Sequence, residues 1–466
     1  KKELAEIKAV SIDTVREKKL RAFQQKLSQL TFLDPACGSG NFLTETYLSL
    51  RRLENEALRG IIDTKKKVVN GQIAFGDLRG NNPIQVSIGQ FYGIEINDFA
   101  VTVARTALWI AESQMMEETE EVIRMELDFL PLESYPNINE GNALRMDWES
   151  VVPKAKLNYI MGNPPFVGYK LQTADQKSDL QLVFPQARNI DYVCGWYVKA
   201  SAYIQNEPIR VSFVSTNSIT QGDFAYRTFK WNSEAKEQAA VHVVIIGFSK
   251  FNTIGRRIIF SQNGSKTVKN INPYLVDAPN IIVEKRAKPF FNVPPMVYGS
   301  EPREGGFLIL SREEKDQISG QDPLLARYIR RFISSEDYIK KNCRYCLWLK
   351  DADLSELRES KELRNRLAHV REFRENSKQK QAHEAAITPY LFASERQPVN
   401  DYLVIPIVSS ENRKYIPIGF VDKNVIASNA CFTITSSSLY VFGVLESNVH
   451  MAWMRTVSGR LKSDYR

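Results

Sequence analysis

Two short stretches hold residues whose types and spacing could do chemistry. The first, Asp34-Pro35-Ala36-Cys37-Gly38-Ser39-Gly40-Asn41, follows the apolar Thr31-Phe32-Leu33 and leads into a helical pattern. Glycines in such a loop let the backbone approach a ligand closely, and the helix behind it offers free N–H groups. The loop lacks the Gly-Lys-Ser/Thr of a phosphate-gripping Walker sequence and is not a full Gly-x-Gly-x-x-Gly fingerprint. Asp34 also sets a negative charge where a pyrophosphate would have to sit. That charge suits a ligand with a cationic amino-acid end, such as S-adenosylmethionine. A tight turn with no ligand is the plainer reading of the same residues.

The second stretch is Asn163-Pro164-Pro165-Phe166, closing the apolar run Leu157–Met161. The Asn163 side-chain oxygen and the Pro164 carbonyl can both accept from one NH₂ group, and the two prolines fix φ and hold that carbonyl still. Such a pair suits an exocyclic amine turned toward an electrophilic methyl group, by positioning and electrostatics and with no strong base. Phe166 would stack on the heterocycle. Glu95, ending Gln90-Phe91-Tyr92-Gly93-Ile94-Glu95, is placed to accept from two ribose hydroxyls, or is a solvated carboxylate at a strand end. Asn142, in Glu140-Gly141-Asn142-Ala143-Leu144, could meet an adenine amino group.

These residues need elements to position them. Apolar runs at 31–34, 90–95, 157–161, 209–215 and 241–248 read as strands, and 15–30, Asn41 to Leu58, and Asp98 to about Met116 as helices. Near-continuous apolar strands separated by helices predict an α/β fold with a parallel sheet covered on both faces. Glu95 lies farther from the glycine loop than the usual twenty residues or so, which implies an insertion between about Arg51 and Gln90. Between Arg210–Ser215 and the strand-like Phe224–Trp231 there is too little chain for a crossover helix. Either the second segment pairs antiparallel, or a piece is missing around Gly222-Asp223. Beyond about residue 270 prolines punctuate a loop-rich stretch, a charge-dense helical segment runs from Asp351 to Ala386, and short strands fill Asn400 to Tyr440. These describe a second domain of mixed class.

The 466 residues carry a net charge of +8, which favours a polyanionic partner through counterion release. Five scattered cysteines make no disulfide framework, no apolar run reaches membrane-spanning length, and no secretory signal opens the chain, so a reducing, cytoplasmic location is expected. Because it opens on Lys1, the sequence reads as a fragment or as the ordered part of a longer chain. Cys343-Arg344-Tyr345-Cys346 has half of a zinc-knuckle spacing with no second pair nearby, and the four histidines form no cluster, so no metal is expected.

Taken together, Asp34-Pro35-Ala36-Cys37-Gly38-Ser39-Gly40 followed by Asn163-Pro164-Pro165-Phe166 resembles the gamma class of DNA adenine-N6 methyltransferases, in which the cofactor loop precedes the catalytic motif and a recognition region comes last. Ala107-Leu108-Trp109-Ile110-Ala111-Glu112-Ser113-Gln114-Met115-Met116, Gly141–Leu144, Arg413–Phe420 and Gly459–Arg466 are similar to the MmeI-like (type IIL) restriction–modification enzymes, over nearly the whole chain. The resemblance implies a Rossmann-like S-adenosylmethionine-dependent methyltransferase domain over 1–270 and a mixed α+β DNA target-recognition domain over 271–466. It implies methyl transfer to adenine N6 in double-stranded DNA with the base flipped out, as the modification part of a restriction–modification or phage-defence system.

By the same resemblance Asp34, Ala36, Gly38, Gly40, Glu95 and Asn142 contact the cofactor, and Asn163, Pro164, Pro165 and Phe166 carry catalysis. Phe229, or in its place Trp231, stacks on the other face of the base, with core packing the rival role. Arg413, Lys414, Arg460 and Lys462 are the DNA contacts, or else solvated charges. The aromatic cofactor motif that the class carries upstream of the glycine loop is not located, and no nuclease site is read; a nuclease domain or subunit would lie outside this chain. Methylation of an RNA base or a protein glutamine, and a DNA-binding specificity protein with an inert methyltransferase fold, are the competing readings.

Overall fold

A single phenylalanine shows how the first half of the chain is layered. In a computed structural model, Phe32 stacks on Phe91 and on Tyr159, with ring centroids 5.2 Å apart in each pair. The three rings belong to three neighbouring parallel strands, β1 (Phe32–Asp34), β2 (Phe91–Glu95) and β4 (Tyr159–Gly162), and β3 (Ile138–Glu140) pairs parallel outside β2. Leu33, one residue on, points into the opposite core, as strand pleating requires. Both faces of β1 are therefore dry, which is why its sequence is apolar without alternation.

The structure describes residues 1–68, 83–123, 137–186, 189–205, 207–216, 224–230, 242–250, 257–261, 264–281, 289, 291–353, 355–435, 438–458, 460–461 and 464–465. It separates into two compact units, Lys1–Ile282 and Val283–Arg466. Ile271 and Leu275 are buried against Val244, Ile246 and Val268, so the first unit continues beyond residue 270.

The sheet of the first unit continues through β5 (Arg210–Thr216), β6 (Phe224–Lys230), β7 (His242–Ser249), β8 (Arg257–Ser261) and β9 (Gly264–Val268), in the order β3-β2-β1-β4-β5-β7-β6-β8-β9. β7 lies antiparallel between β5 and β6. The expectation of a parallel sheet is thus corrected: the β3 to β5 half is parallel throughout, whereas β7 and β9 run against their neighbours and β6 pairs parallel with β8. β6 pairs antiparallel with β7 and so runs in the same direction as β5, with β7 between them; the chain joining β5 to β6, Gly222-Asp223 included, lies outside the described residues.

One face carries α2 (Asp13–Ser28), α3 (Asn41–Val68) and α4 (Asp98–Ile123), preceded by the short α1 (Lys2–Lys8). α4 outruns the predicted end at Met116 because Ala104, Leu108, Ala111, Met115, Thr119 and Ile123 keep one buried stripe. α3 outruns Leu58 for the same reason, with Ile61 buried. Between these helices Arg51 and Glu54 form a wholly buried ion pair. Arg51 also donates to Thr119 at 2.7 Å, and Glu54 accepts from the Gln24 side chain at 2.8 Å and the Gln85 backbone at 2.7 Å. That network ties down the chain re-entering from the insertion. The opposite face carries α5 (Ala174–Val183) and α6 (Cys194–Tyr203), with Leu180, Trp196 and Ala200 packed on Ile94, Ile160 and Val211.

The second unit holds two four-stranded sheets, β10 (Met296–Tyr298), β17 (Cys431–Thr435), β14 (Tyr402–Pro406), β15 (Gly419–Val421), and β11 (Ile309–Leu310), β13 (Arg344–Leu347), β12 (Ile329–Ile333), β16 (Ile426–Ala427), each in that spatial order. Its helices are α7 (Arg312–Gln321), α8 (Pro323–Ala326), α9 (Ser335–Lys340), α10 (Lys361–Glu375), α11 (Lys380–Glu384), α12 (Leu439–Leu445) and α13 (Asn448–Val457), and a ribbon of β18 (Arg460–Leu461) and β19 (Asp464–Tyr465) follows.

The charge-dense stretch is not wholly solvated, because Arg374 on α10 is fully buried. Its guanidinium donates to five backbone carbonyls, those of Pro302, Arg303, Ala385, Thr388 and Leu391, at 2.7–3.1 Å. Arg374→Met would leave those acceptors unpaired, at about 1–3 kcal/mol for each one that stays buried. Urea denaturation is expected to show the transition of the second unit at clearly lower denaturant; an unmoved midpoint would contradict this role.

Candidate cofactor and catalytic pocket

Strand ends meet at a cavity of about 800 Å³. Its wall takes Pro35, Ala36 and Gly38 from the loop after β1, Ile94, Glu95 and Ile96 from the end of β2, and Gly141, Asn142 and Ala143 from the turn after β3. Asn163 and Pro165 come from the segment after β4, and Arg145, Asp175, Gln176, Asp179, Tyr192 and Trp196 complete it. Ligand sites of open α/β sheets lie at this carboxyl edge, where strand order reverses about the first strand.

Glu95 holds the edge together. One carboxylate oxygen accepts from the Gly38 backbone at 2.9 Å; the other accepts from Ile96 at 2.9 Å and Asn97 at 3.0 Å. The carboxylate that the sequence offered to a ribose is therefore also the clamp on the glycine loop. Gly38 and Gly40 have φ of +53° and +85°, values that disfavour a side chain, and a Cβ on Gly40 would come within 3.0 Å of Ala104 on α4.

Asp34 does not line the cavity. It is buried beneath the loop, where one carboxylate oxygen accepts from the Ala36 backbone at 3.0 Å and the other has no partner among the described residues. Burial, with a smaller push from Glu95 and against the Ala36 N–H, raises its pKa to about 7. A Cβ on Gly162 would fall on this carboxylate, which explains the glycine before Asn163.

Asn163 lines the cavity, and its side-chain oxygen is buried without a hydrogen-bond partner among the described residues. An unpaired buried acceptor costs stability, so its retention points to a partner that arrives with a ligand. Pro165 is exposed at the wall, Pro164 is buried and Phe166 is half-buried. The chain just beyond is pinned. Val167 donates to Asp191 at 3.0 Å, its carbonyl accepts from the Tyr192 backbone at 3.0 Å, and Gln172 bridges the carbonyls of Val167 and Ile190 at 2.8 and 2.9 Å.

Ala36, Gly38, Glu95, Asn142, Asn163 and Pro165 thus come together, while Asp34, Gly40, Pro164 and Phe166 flank them. Asn142 has both ends of its amide engaged, donating to Asp179 at 2.8 Å and accepting from the Leu144 backbone at 2.9 Å. Asp179 was invisible in the sequence, one of two aspartates in a polar helix. So was Trp196, whose indole donates to the Pro35 carbonyl at 3.0 Å. Phe229 lies in β6 opposite Val243, with its side chain outside the described residues, as is Trp231. In the second unit Arg413 is half-buried and Lys414 exposed, with the Lys414 ammonium 5.4 Å from the Tyr415 ring centre. Arg460 is described only in its backbone, and Lys462 lies outside the described residues. Among the described residues no cluster of His, Cys, Asp or Glu could hold a metal, and no helix is long and apolar enough to cross a membrane.

Sheet order and pocket define a Rossmann-like α/β domain of the methyltransferase class. Residues 10–261 match the family model of the MmeI DNA-methyltransferase domain, and residues 277–466 that of the MmeI target recognition domain. The chain belongs to the MmeI family. It is 37% identical over 471 residues to DNA methyltransferase A of Bacillus subtilis (strain 168), an alignment spanning 96% of this chain and 52% of that protein. The solved structure of the type IIL restriction–modification enzyme MmeI in complex with DNA superposes with a TM-score of 0.86 at 42% identity, covering 100% of this chain and 63% of that one. The chain therefore spans about half the length of the curated relative and somewhat under two thirds of the structural one.

Proposed function

We propose that this chain transfers a methyl group from S-adenosylmethionine to N6 of an adenine flipped out of duplex DNA, at sites chosen by the second unit, Val283–Arg466. It would serve in the cytoplasm as the modification part of a restriction–modification or phage-defence system. The observation that carries the reading is the unpaired, buried Asn163 oxygen at the wall of a cavity shared with the glycine loop and Glu95.

The residues fit the cofactor: a glycine loop beside a strand-end carboxylate for ribose, Asn142 for the purine, and the unpartnered Asp34 oxygen as a negative charge near its cationic end. When bound, the cofactor supplies an electrophilic methyl group on a sulfonium. The rest falls to the chain. Asn163 and the Pro164 carbonyl accept from the two N–H bonds of the amine, turning its lone pair out of ring conjugation. Phe166 stacks on the base, with Phe229 or Trp231 on its other face. Arg413, Lys414, Arg460 and Lys462 are the candidate DNA contacts. The intact Asn163–Phe166 segment disfavours an inert fold.

Incubation with methyl-labelled S-adenosylmethionine and mixed duplex DNA, followed by nucleoside analysis, should place the label in N6-methyladenine. Label in RNA or protein glutamine instead, or cofactor and DNA binding without transfer, would overturn the reading.

The Asp34 carboxyl gives a pH signature. With its pKa raised to about 7, it is partly protonated in the free protein near neutrality. A bound cation favours the carboxylate, so at pH 6–7 ligand binding should release protons, and affinity should weaken as pH falls below about 7. Calorimetry in buffers of different ionisation enthalpy measures that release, and its absence would remove Asp34 from the cofactor site.

A further inference from the structure

The inner wall of the cavity carries a carboxylate with no part in the steps above. Asp179 on α5 is 3% exposed and accepts from the Asn142 amide nitrogen at 2.8 Å, the Tyr192 hydroxyl at 2.8 Å and the Arg145 guanidinium at 2.6 Å. Burial pushes its pKa up, but the three hydrogen bonds outweigh burial and hold the carboxyl below its usual range. It is therefore a fixed acceptor. The Arg145 side chain is half exposed, so its ion pair adds little, and the part-buried Asn142 bond and the buried Tyr192 bond do most of the fixing.

A carboxylate only accepts and a backbone N–H only donates. Asn142 is held between one of each, its NH₂ on Asp179 and its oxygen on the Leu144 N–H. Turning the amide over would set oxygen against carboxylate and NH₂ against N–H. The side chain has one orientation, and its oxygen keeps a second lone pair at a residue that lines the cavity.

We propose that Asp179 is a positioning residue that locks the Asn142 amide with its oxygen as acceptor, and so makes the pocket select a 6-aminopurine ligand over its 6-oxo counterpart. The proposal rests on the reading of this cavity as the cofactor pocket. An amino group donates to the locked oxygen, whereas a 6-oxo group meets it with a second acceptor. A site built to hydrogen-bond one partner rejects the other because its own polar atoms are left unpaired.

The test is calorimetric binding of S-adenosylhomocysteine and S-inosylhomocysteine to the wild-type chain, Asp179→Ala and Asp179→Asn, with thermal melting to verify folding. The wild type should prefer the adenosyl ligand by at least about tenfold. Asp179→Ala should bring the two affinities to within about threefold of each other, since the amide is then held from one side only. Asp179→Asn should keep most of the preference, because its own amide oxygen can still accept from Asn142. If Asp179→Ala does not fold, Asp179→Ser, too short to reach Asn142, reads the same ratio. Equal weakening of both ligands with the preference intact would overturn the proposal and leave the pocket reading standing. A wild type that binds both alike would overturn the proposal alone, and one that binds neither would overturn the two together.

Discussion

Asn163→Ala is expected to lower methyl transfer by about a thousandfold or more while leaving cofactor affinity and folding intact. Removing one preorganised polar contact to a reacting group costs about 10²–10³ in rate, and here it also frees the amine to rotate. No hydrogen bond to the Asn163 oxygen is lost, because it has no partner among the described residues. Deleting an unpaired buried acceptor relieves a desolvation penalty of about 1–3 kcal/mol, less what the smaller side chain gives up in packing. The thermal midpoint should therefore stay level or rise as activity vanishes, the trade expected where a site is kept strained for function. Single-turnover kinetics, titration with S-adenosylhomocysteine and a melting curve measure the three quantities. A fall in stability equal to that of an ordinary core substitution would show that Asn163 is structural.

Glu95→Gln is expected to cost more than its small change in shape suggests. One carboxylate oxygen serves Gly38 and the other serves Ile96 and Asn97, all of them donors. Whichever way the glutamine amide is turned, its NH₂ faces a backbone N–H. A charge-assisted bond is lost, worth about 1.5–3 kcal/mol, and the glycine loop loses its clamp or the β2 end loses its cap. Cofactor affinity should fall by about ten- to a hundredfold, and Glu95→Ala should fall further. Calorimetric titration with S-adenosylhomocysteine measures the change. An unaltered affinity in Glu95→Gln would mean that the carboxylate neither holds the loop nor meets the ligand.

The chemistry was legible where residues could be recognised by type at a strand end. Asp34 to Gly40 and Asn163 to Phe166 both follow short apolar runs, and both segments reach one cavity in the fold. The direction of β7 was not legible. His242–Ser249 is apolar on both faces whether it runs with or against its neighbours, and only the pairing of Val211 with Phe248 and Val214 with Ile245 reveals the reversal. Helix ends were misjudged for a different reason: the buried stripe of α4 continues past Met116 through Thr119, a polar residue that its bond to Asn55 at 2.8 Å allows inside. Asp179 and Arg374 could not be found from sequence at all. Each sits in a charged helix among residues of its own kind, and only packing shows that it is the one turned inward.

The measurement closest to the central claim is a structure of the chain with S-adenosylhomocysteine and a duplex carrying its target adenine. The account predicts the flipped adenine N6 within hydrogen-bonding distance of both the Asn163 side-chain oxygen and the Pro164 carbonyl, with the cofactor sulfur on the line beyond it. An adenine that stays stacked in the duplex, or an amine held by other groups while Asn163 faces packed side chains, would contradict it.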